Sequence, residues 1–420
     1  MTAEVVIMNK LGMSLAADSA ITSGRDGVPK VYNTANKLFS LSPNHPVGIM
    51  IYGAASFMEV PWDIIIKSYR DYLGTKKFSD LTCYAEDFLA FLYSDERFKN
   101  KDIEEVIVYR TFSDVLKRIV KEVEEMVNEG EVSGKEVEQQ KVSNWLEEAI
   151  ERDIILSQQK QKTFLDIDYQ TFETEFKNVL DEIKDEFITY EIPDKLNELL
   201  YKLAYEVIIK DYFSIGSTGF VIAGYGEKEI FPHLLNYRLE GFIFGQLKYK
   251  KLKEKIISYT TDKQDGTASI TAFAQREMVD SFIGGIEPNM EDAIFGIIDK
   301  VLSDYHQQIQ KHLNISFTKN QVKQLENMGI ELYESIEDTV KEYKENHYIL
   351  PLLGVVRSLP KEELAEMTET LVNLTSFKRR VTRTTESVGL PVDVAVITKG
   401  DGFVWMKRKN YINPDINDRF

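Results

Sequence analysis

Residues 2–8 read Thr-Ala-Glu-Val-Val-Ile-Met, and residues 12–19 read Gly-Met-Ser-Leu-Ala-Ala-Asp-Ser. The apolar run Val5–Met8 predicts a short buried strand, and Met13–Ala17 predicts a second strand after a tight turn at 9–12. An antiparallel hairpin of this kind brings Asp18 back to the level of Thr2. The stretch therefore predicts that a hydroxyl side chain and a carboxylate meet at one end of two buried strands.

Thr2 directly follows Met1. An initiator methionine is normally removed when the next residue is small, so we expect Thr2 to become the first residue of the mature chain. Its free α-amine, with a pKa of about 8, could then accept the proton of its own hydroxyl. One residue would supply both the nucleophile and the base. Small residues at position two are common, so the motif needs support from the rest of the sequence.

The next fifty residues give that support. Lys37–Leu41 predicts a third strand, a turn is expected at 42–46, and Val47–Tyr52 predicts a fourth strand that ends in Gly-Ala-Ala-Ser at 53–56. This order resembles the N-terminal half of proteasome β-type subunits, which belong to the N-terminal-nucleophile (Ntn) hydrolases. That family has an N-terminal threonine, a Gly-x-x-x-Ala-Ala-Asp-Ser segment, a lysine opening the third strand and a glycine-rich turn after the fourth.

The resemblance implies an α+β fold, a four-layer αββα sandwich, and roles for four residues. Thr2 would be the nucleophile, Asp18 the carboxylate, Lys37 the lysine and Gly53 the oxyanion-hole glycine. An ammonium beside Thr2 lowers the proton affinity of its hydroxyl and amine, and a buried carboxylate keeps that ammonium charged. A backbone N–H aimed at the oxyanion is worth about 3 kcal/mol. Lys30 is the rival for the lysine role, but it lies in a loop with glycine and proline. Taken singly, each residue also fits an ordinary structural role.

The resemblance resumes downstream. Residues 219–226 and 231–241 look like the next strand pair of the family, residues 289–293 open its third helix, and Leu364–Phe377 reads as its fourth helix. A loop and strand at 387–397 and a last strand at 402–405 follow. By the resemblance, Glu386 and Ser387 (or Thr385) would support the Thr2 amine.

The chain departs from the family in this amine-binding region. The family has Asp where Glu386 stands and a Gly-Gly pair where this chain has Gly389-Leu390. Relatives also carry a Gly-Ser-Gly segment whose serine contacts the threonine amine, whereas residues 272–276 read Ala-Phe-Ala-Gln-Arg here. Gln275 or Ser281 would have to contact the Thr2 amine instead, and the side-chain oxygen of an amide can accept a hydrogen bond from an amine.

Between the core segments the sequence predicts helical insertions. The expected organisation is an Ntn core at 1–100, 213–312 and 359–420, with helical insertions at 101–212 and 313–358. Apolar residues recur at helical spacing through the first insertion. They are Val115, Ile119, Val123 and Met126; Trp145, Leu146 and Ile150; and Phe172, Phe176, Leu180 and Ile183.

Composition and residue spacing restrict the ligands and the cellular location that the protein is expected to have. A net charge of -17 argues against nucleic acid as the main ligand. No apolar stretch approaches the roughly 18 residues of a membrane span, and no signal peptide is recognisable, so we expect a cytoplasmic protein without membrane association. The five histidines and one cysteine lack metal-ligand spacing, and no phosphate-binding loop is present, so neither a metal nor a cofactor is expected.

The sequence thus predicts a threonine-type hydrolase that acts on peptide or related amide bonds through an ester on Thr2. Water as the acceptor would make it a peptidase, and a substrate amine would make it a transferase or ligase. The alternative is a catalytically silent, proteasome-like scaffold whose helical insertion binds a partner protein. We expect a monomer or small homo-oligomer, because the insertions would cap the surface through which proteasome-type rings form.

Overall fold

The structure is a computed structural model that describes residues 2–23, 30–42, 44–132, 139–160, 162–259, 266–382 and 389–409. It is a mixed α+β fold with antiparallel sheets, as the sequence predicts at that level. The chain forms two compact units. Unit 1 comprises Met1–Tyr52, Ala223–Leu234 and Lys255–Phe420, and unit 2 comprises Gly53–Ile222 and Leu235–Glu254.

The elements are numbered in chain order. The strands are β1 Ala3–Asn9, β2 Gly12–Ala17, β3 Ile21–Ser23, β4 Lys30–Tyr32, β5 Leu38–Ser42, β6 His45–Gly53, β7 Ser56–Phe57, β8 Val60–Pro61, β9 Thr218–Gly224, β10 His233–Ile243, β11 Gln246–Ile256, β12 Ala268–Ala274, β13 Asp393–Thr398 and β14 Gly402–Lys407. The helices are α1 Trp62–Leu73, α2 Leu81–Ser94, α3 Lys101–Val132, α4 Gln139–Gln159, α5 Tyr169–Phe187, α6 Asp194–Ile209, α7 Glu277–Gly284, α8 Pro288–Leu313, α9 Lys319–Lys344, α10 Leu350–Val356 and α11 Lys361–Val381.

Unit 1 is built on a five-stranded antiparallel sheet with the order β12-β1-β2-β13-β14. The predicted hairpin is its centre, with Glu4 opposite Ala17 and Asn9 opposite Gly12. The two strands are longer than predicted, since β1 begins at Ala3 and ends at Asn9. Every residue of β1 and β2 is buried, so both faces of these strands are covered.

One face of this sheet packs on helices. Ala3, Val5 and Ile7 of β1 share an apolar core with Leu364 and Leu371 of α11. The two leucines are seven residues apart and therefore lie on one side of the helix. Each large apolar side chain buried in this way contributes about 1.5–3 kcal/mol, so this contact fixes the position of β1 and with it the position of Thr2.

The other face of the sheet packs on the β5–β6 hairpin. Gly48 of β6 lies so close that an added Cβ would come within 2.9 Å of the Phe403 ring and 3.1 Å of the Ile397 side chain. Unit 1 therefore stacks a helical layer, a sheet and a strand pair in that order. This is consistent with part of the predicted four-layer sandwich, and the complete sandwich remains a prediction.

Unit 2 combines strands of β9–β11 with six helices. β10 lies between β9 and β11, and Phe88 of α2 packs edge-on against Phe220 of β9 with 5.0 Å between ring centroids. The helices α3–α6 occupy residues 101–209, and the apolar stripe of α5 is buried as its spacing predicts. Met126 of α3 differs from the prediction that the apolar stripe is packed, because this residue is 40% exposed. None of the helices in the described part of the chain is both long and apolar enough to span a membrane.

A buried lysine ties β11 to the end of α6. Lys248 is fully buried, and its Nζ donates to the carbonyl oxygens of Ile208 at 2.7 Å and Val207 at 3.2 Å. These carbonyls belong to the last turn of α6, where intrahelical partners are missing. Burial lowers the pKa of the Lys248 ammonium to about 8.

We predict that Lys248 makes the stability of the protein increase with pH in the alkaline range. Because its pKa falls from 10.5 to about 8 on folding, the unfolded chain binds more protons between these two pH values. The free energy of unfolding should therefore gain up to about 3 kcal/mol from this group across that window. Urea unfolding of the wild type and of Lys248→Met measures the gain, which the variant should lose. Lys251→Met, at an exposed position of the same strand, is the control. Equal pH slopes for wild type and Lys248→Met would contradict the prediction.

Candidate functional site

The Asp18 carboxylate is completely buried and accepts four hydrogen bonds. Its Oδ1 accepts from Lys37 Nζ at 2.7 Å and from the Ala3 N–H at 2.9 Å. Its Oδ2 accepts from the N–H groups of Ala20 at 2.9 Å and Gly389 at 3.1 Å. Four donors fill the acceptor capacity of one carboxylate. Asp18 thus joins the start of β1, the turn after β2, the start of β5 and the segment before β13.

Lys37 is the lysine that the structure brings to Asp18. It immediately precedes β5, is 6% exposed, and its carbonyl oxygen accepts from the Ile51 N–H at 2.9 Å. The rival Lys30 lies on the exposed strand β4, opposite Ser23 of β3. The difference arises because Lys37 enters a strand of the core while Lys30 belongs to a separate two-stranded hairpin.

Thr2 is buried at the end of β1 and is held from two sides. Its carbonyl oxygen accepts from the Gln275 N–H at 3.0 Å, and the next residue, Ala3, is bonded to Asp18. Ala274, which pairs with Ala3, has a φ of 59°, in the left-handed region that alanine rarely adopts. This backbone turn directs the chain of Gln275 alongside Thr2. Met1 lies outside the described residues.

Gly53 is the first residue of unit 2, and its surroundings there require glycine. Its φ is 84°, and an added Cβ would come within 2.6 Å of the Ser217 carbonyl oxygen. Both the backbone conformation and the lack of space therefore exclude a side chain. These facts account for the glycine structurally, and its role in an oxyanion hole remains a prediction.

The predicted amine-binding residues are only partly described. Glu386, Ser387 and Thr385 lie outside the described residues. Gln275 lies beside Thr2, and its Oε1 accepts from Arg379 Nε at 3.1 Å. Ser281 Oγ donates to the carbonyl oxygen of Glu277, one turn earlier in α7, at 2.6 Å. The basic run at the end of α11 thus contributes Arg379 to the surroundings of Gln275.

Glu4 is an ionisable group near Asp18 and Lys37 that the sequence did not point to. Its side chain is fully buried, and within the described part of the chain neither carboxylate oxygen has a hydrogen-bond partner. Burial raises its pKa well above the usual value, Lys37 opposes this shift, and Asp18 adds to it. By strand alternation Glu4 shares the face of Thr2. The available signal was a lone carboxylate in an otherwise apolar strand.

A second buried ion pair borders the site. Lys409, just after β14, pairs with Asp393 at the start of β13, and its Nζ also donates to Ser19 Oγ at 2.9 Å. Ser19 Oγ in turn donates to the Pro391 carbonyl oxygen at 2.6 Å. This network fixes the residue that follows Asp18. Nothing in the sequence around Asp393 and Lys409 indicated that they meet.

Across the described ranges, no group of three or more His, Cys, Asp or Glu residues could hold a metal ion. The groups that the structure brings together are instead a hydroxyl-bearing residue, an ammonium, one saturated carboxylate and one carboxyl of raised pKa.

No protein-family model and no curated protein matches the chain. Among solved structures, the chain is similar to a crystal form of the Anbu (Gly-1) mutant from Hyphomicrobium sp. strain MC1, with 9% sequence identity over 97% of this chain and 86% of that chain. The TM-score of this match is 0.26.

We predict that Glu4→Gln stabilises the protein at neutral pH. Since folding raises the pKa of Glu4, the unfolded chain releases this proton first as the pH rises above about 4.5, and stability is lost until the folded-state pKa is passed. Glutamine has nearly the shape of the neutral acid, and its amide does not titrate in this pH range. The variant should match the wild type near pH 4 and exceed it near pH 7 by up to about 3 kcal/mol, because each pH unit between the unfolded and the folded pKa removes about 1.4 kcal/mol from the wild type alone.

Urea unfolding at the two pH values tests this, with Glu331→Gln on an exposed face of α9 as the control that should change neither. A variant that is less stable than the wild type near pH 7 would show that Glu4 is ionised and stabilised by a partner.

Proposed function

We propose that the protein is a threonine-type Ntn hydrolase that cleaves or transfers peptide or related amide bonds through an ester on Thr2. One observation carries the proposal. The same buried oxygen of Asp18 that holds the Lys37 ammonium at 2.7 Å also accepts from the N–H of Ala3, the residue after Thr2. This shared oxygen supports the proposal that the Lys37 ammonium acts on Thr2, because it links the cation to the residue after Thr2 in a buried environment.

The burial of this ion pair supports a chemical role for Lys37. Removing an ammonium from water costs several kcal/mol unless the ion is well paired, and Asp18 provides that pairing with almost no solvent access. Low solvent exposure also strengthens the effect of the ammonium on nearby groups. Its charge would lower the proton affinity of the Thr2 hydroxyl, and it would favour the neutral form of the Thr2 amine.

The proposed reaction requires removal of the chain before Thr2. The Thr2 hydroxyl oxygen then forms a bond to the carbonyl carbon of the substrate, and the hydroxyl proton passes to the Thr2 α-amine. The tetrahedral oxyanion would be stabilised by the Gly53 N–H and by Lys37. When the C–N bond breaks, the leaving amine takes the proton from the Thr2 ammonium and an ester remains.

The ester can be resolved in two ways. Water attacks the ester carbon and gives a proton to the Thr2 amine, the bond between that carbon and Thr2 Oγ breaks, and the Thr2 ammonium returns the proton to Oγ, so that a carboxylic acid is released and free Thr2 is restored. A substrate amine that attacks in the same way gives a new amide and completes a transfer. The resemblance to proteasome β-type subunits favours peptide substrates for both outcomes.

A non-catalytic scaffold is the second candidate, and a specific observation favours it. The two residues that could replace the missing serine of the family are already engaged, since Gln275 Oε1 accepts from Arg379 and Ser281 Oγ donates within α7. An amine without a good acceptor is poorly oriented for proton transfer. A protein that keeps Met1 and does not react with amide-mimicking electrophiles would favour this candidate.

We predict that the purified protein begins at Thr2 and that a peptide epoxyketone labels this residue. Labelling should be absent in Thr2→Ala and reduced but measurable in Thr2→Ser, because serine keeps a hydroxyl beside the amine. Intact-mass and peptide mass spectrometry give both results.

Thr318→Ala is the matched control, because Thr318 is an exposed helix cap of α9 and its loss should leave labelling unchanged. Labelling that persists in Thr2→Ala, or full reactivity of protein that retains Met1, would show that Thr2 is not the nucleophile. An assay with a peptide substrate, with and without an added peptide amine, distinguishes the two reactions. Hydrolysis gives a free carboxylic acid, and transfer gives a new amide with the added amine.

We predict that Lys37→Met lowers the epoxyketone labelling rate at least about 100-fold, the usual effect of removing one preorganised electrostatic group. The same change at exposed Lys30 should leave the rate unchanged. Because Lys37 belongs to a buried pair, its loss also costs up to about 3–5 kcal/mol of stability, so labelling is measured well below the melting temperature of each variant. A slower reaction in Lys30→Met and a normal one in Lys37→Met would assign the role to Lys30.

A further inference from the structure

A short loop of unit 2 precedes β9, and two charged residues of β10 hold it in place. We call residues 213–217 the brace loop. The side chain of Glu240 is completely buried, and it accepts from the Ser214 N–H at 2.8 Å and from Ser214 Oγ at 2.5 Å. The Ser217 N–H donates to the Ser214 carbonyl oxygen at 3.1 Å, which closes a tight turn. One buried carboxylate thus fixes the start of this turn.

Arg238 lies two residues before Glu240 in β10, on the same face of the strand, and holds the same loop. Its Nε donates to Ser217 Oγ at 2.8 Å, and its Nη2 donates to the carbonyl oxygens of Ser214 at 3.1 Å and Phe213 at 3.4 Å. The guanidinium also lies over the Phe213 ring, 5.4 Å from its centroid. Arginine suits this position because its planar fork presents several donors in fixed directions.

Apolar packing does not hold the tip of the brace loop. Ile215 is 88% exposed, and its N–H donates to Asp114 Oδ2 of α3 at 2.9 Å. A surface loop with so little buried apolar area at its tip depends on polar contacts for a fixed conformation. Glu240, Arg238 and Asp114 supply these contacts.

The end of the brace loop and the start of β9 lie directly against Gly53. An added Cβ at Gly53 would lie 2.6 Å from the Ser217 carbonyl oxygen and 3.1 Å from Thr218 Cα. Thr218 Oγ1 donates to the Ala54 carbonyl oxygen at 3.1 Å and accepts from Trp62 Nε1 at 2.9 Å. The loop and Thr218 therefore restrict the backbone on one side of Gly53.

The backbone of Gly53 needs such a restraint from its neighbours. Glycine has more conformational freedom than any other residue, and Gly53 is exposed with a φ of 84°. A rotation of its backbone would redirect its N–H. In the proposed reaction this N–H contributes fully only if it already points at the position of the oxyanion. The brace loop supplies a restraint that the residue itself cannot provide.

We propose that Arg238 is a positioning residue, which acts through Ser217 and the brace loop to orient the Gly53 N–H toward the oxyanion. This role rests on the proposed function, since Gly53 needs an oriented N–H only if an oxyanion forms beside it. A displacement of about 1 Å can cost about 100-fold in rate. Loss of the Arg238 contacts should therefore weaken the binding of a tetrahedral adduct more than the binding of an unreacted peptide.

Two peptides that differ in their ability to form such an adduct test the proposal on the mature full chain. With trileucine boronate, Thr2 Oγ forms a bond to boron and gives its proton to the Thr2 amine, so that a tetrahedral anion results. Trileucine amide binds without a bond to Thr2. Arg238→Met should raise the dissociation constant of the boronate at least about tenfold, and Ser217→Ala at least about threefold, because each removes part of the restraint on one oxyanion donor. The dissociation constant of the amide should stay within about twofold of the wild type, because its binding involves no oxyanion.

Ile215→Ala is the matched control, because it changes the exposed tip of the same loop and removes none of the bonds made by Arg238. Its ratio of the two dissociation constants should equal that of the wild type. Ser217→Ala removes only a hydroxyl group and decides the question if Arg238→Met does not fold.

Equal losses of affinity for both peptides, or an unchanged boronate affinity in Ser217→Ala, would overturn the positioning role and leave the proposed function standing. A wild type that binds the boronate no more tightly than the amide forms no adduct. That result would refute the proposed function and the positioning role together.

Discussion

The four hydrogen bonds accepted by the Asp18 carboxylate are the constraint on which the rest of unit 1 depends. A buried carboxylate is stable only when donors replace the water that it has lost. Here the donors come from Ala3, Ala20, Lys37 and Gly389, which lie far apart in the sequence. Satisfying one charge therefore fixes the relative positions of β1, the turn after β2, the start of β5 and the segment before β13. Thr2 occupies its place because its neighbour Ala3 is one of these donors.

Glu4 shows how differently the same fold treats a second carboxyl group nearby. Asp18 accepts four hydrogen bonds, whereas Glu4 has no hydrogen-bond partner within the described residues. Burial raises the pKa of Glu4. The Lys37 ammonium lies near both groups. Keeping a proton on Glu4 would leave Lys37 with one negative partner and would avoid a second uncompensated charge. In the proposed reaction, this balance would preserve the effect of Lys37 on the Thr2 hydroxyl.

The helices of unit 1 differ in how much of their surface they bury. In α11 the apolar face is buried against β1 and β2 and holds these strands in place. In α8 and α9 only His306 and Gly329 are buried. A buried apolar face stabilises the fold, so α11 supports the position of Thr2 far more than α8 and α9 do.

The sequence by itself determined the local elements, and it singled out the residues that we propose for the site. The alternating and continuous apolar runs predicted β1, β2, β5, β6 and most helices, because strand and helix periods are local properties. The observed boundaries differ from the predicted ones by a few residues. The apolar stripe of α3 also did not reveal that Met126 is exposed, because the spacing of a helix cannot show which of its residues a neighbouring element covers. Only the tertiary structure decided which lysine reaches Asp18 and which backbone donors complete that carboxylate. It also decided that Glu4 has no hydrogen-bond partner among the described residues and that Lys409 pairs with Asp393. These outcomes depend on contacts between residues that are distant in the chain, and burial sets the strength of each one.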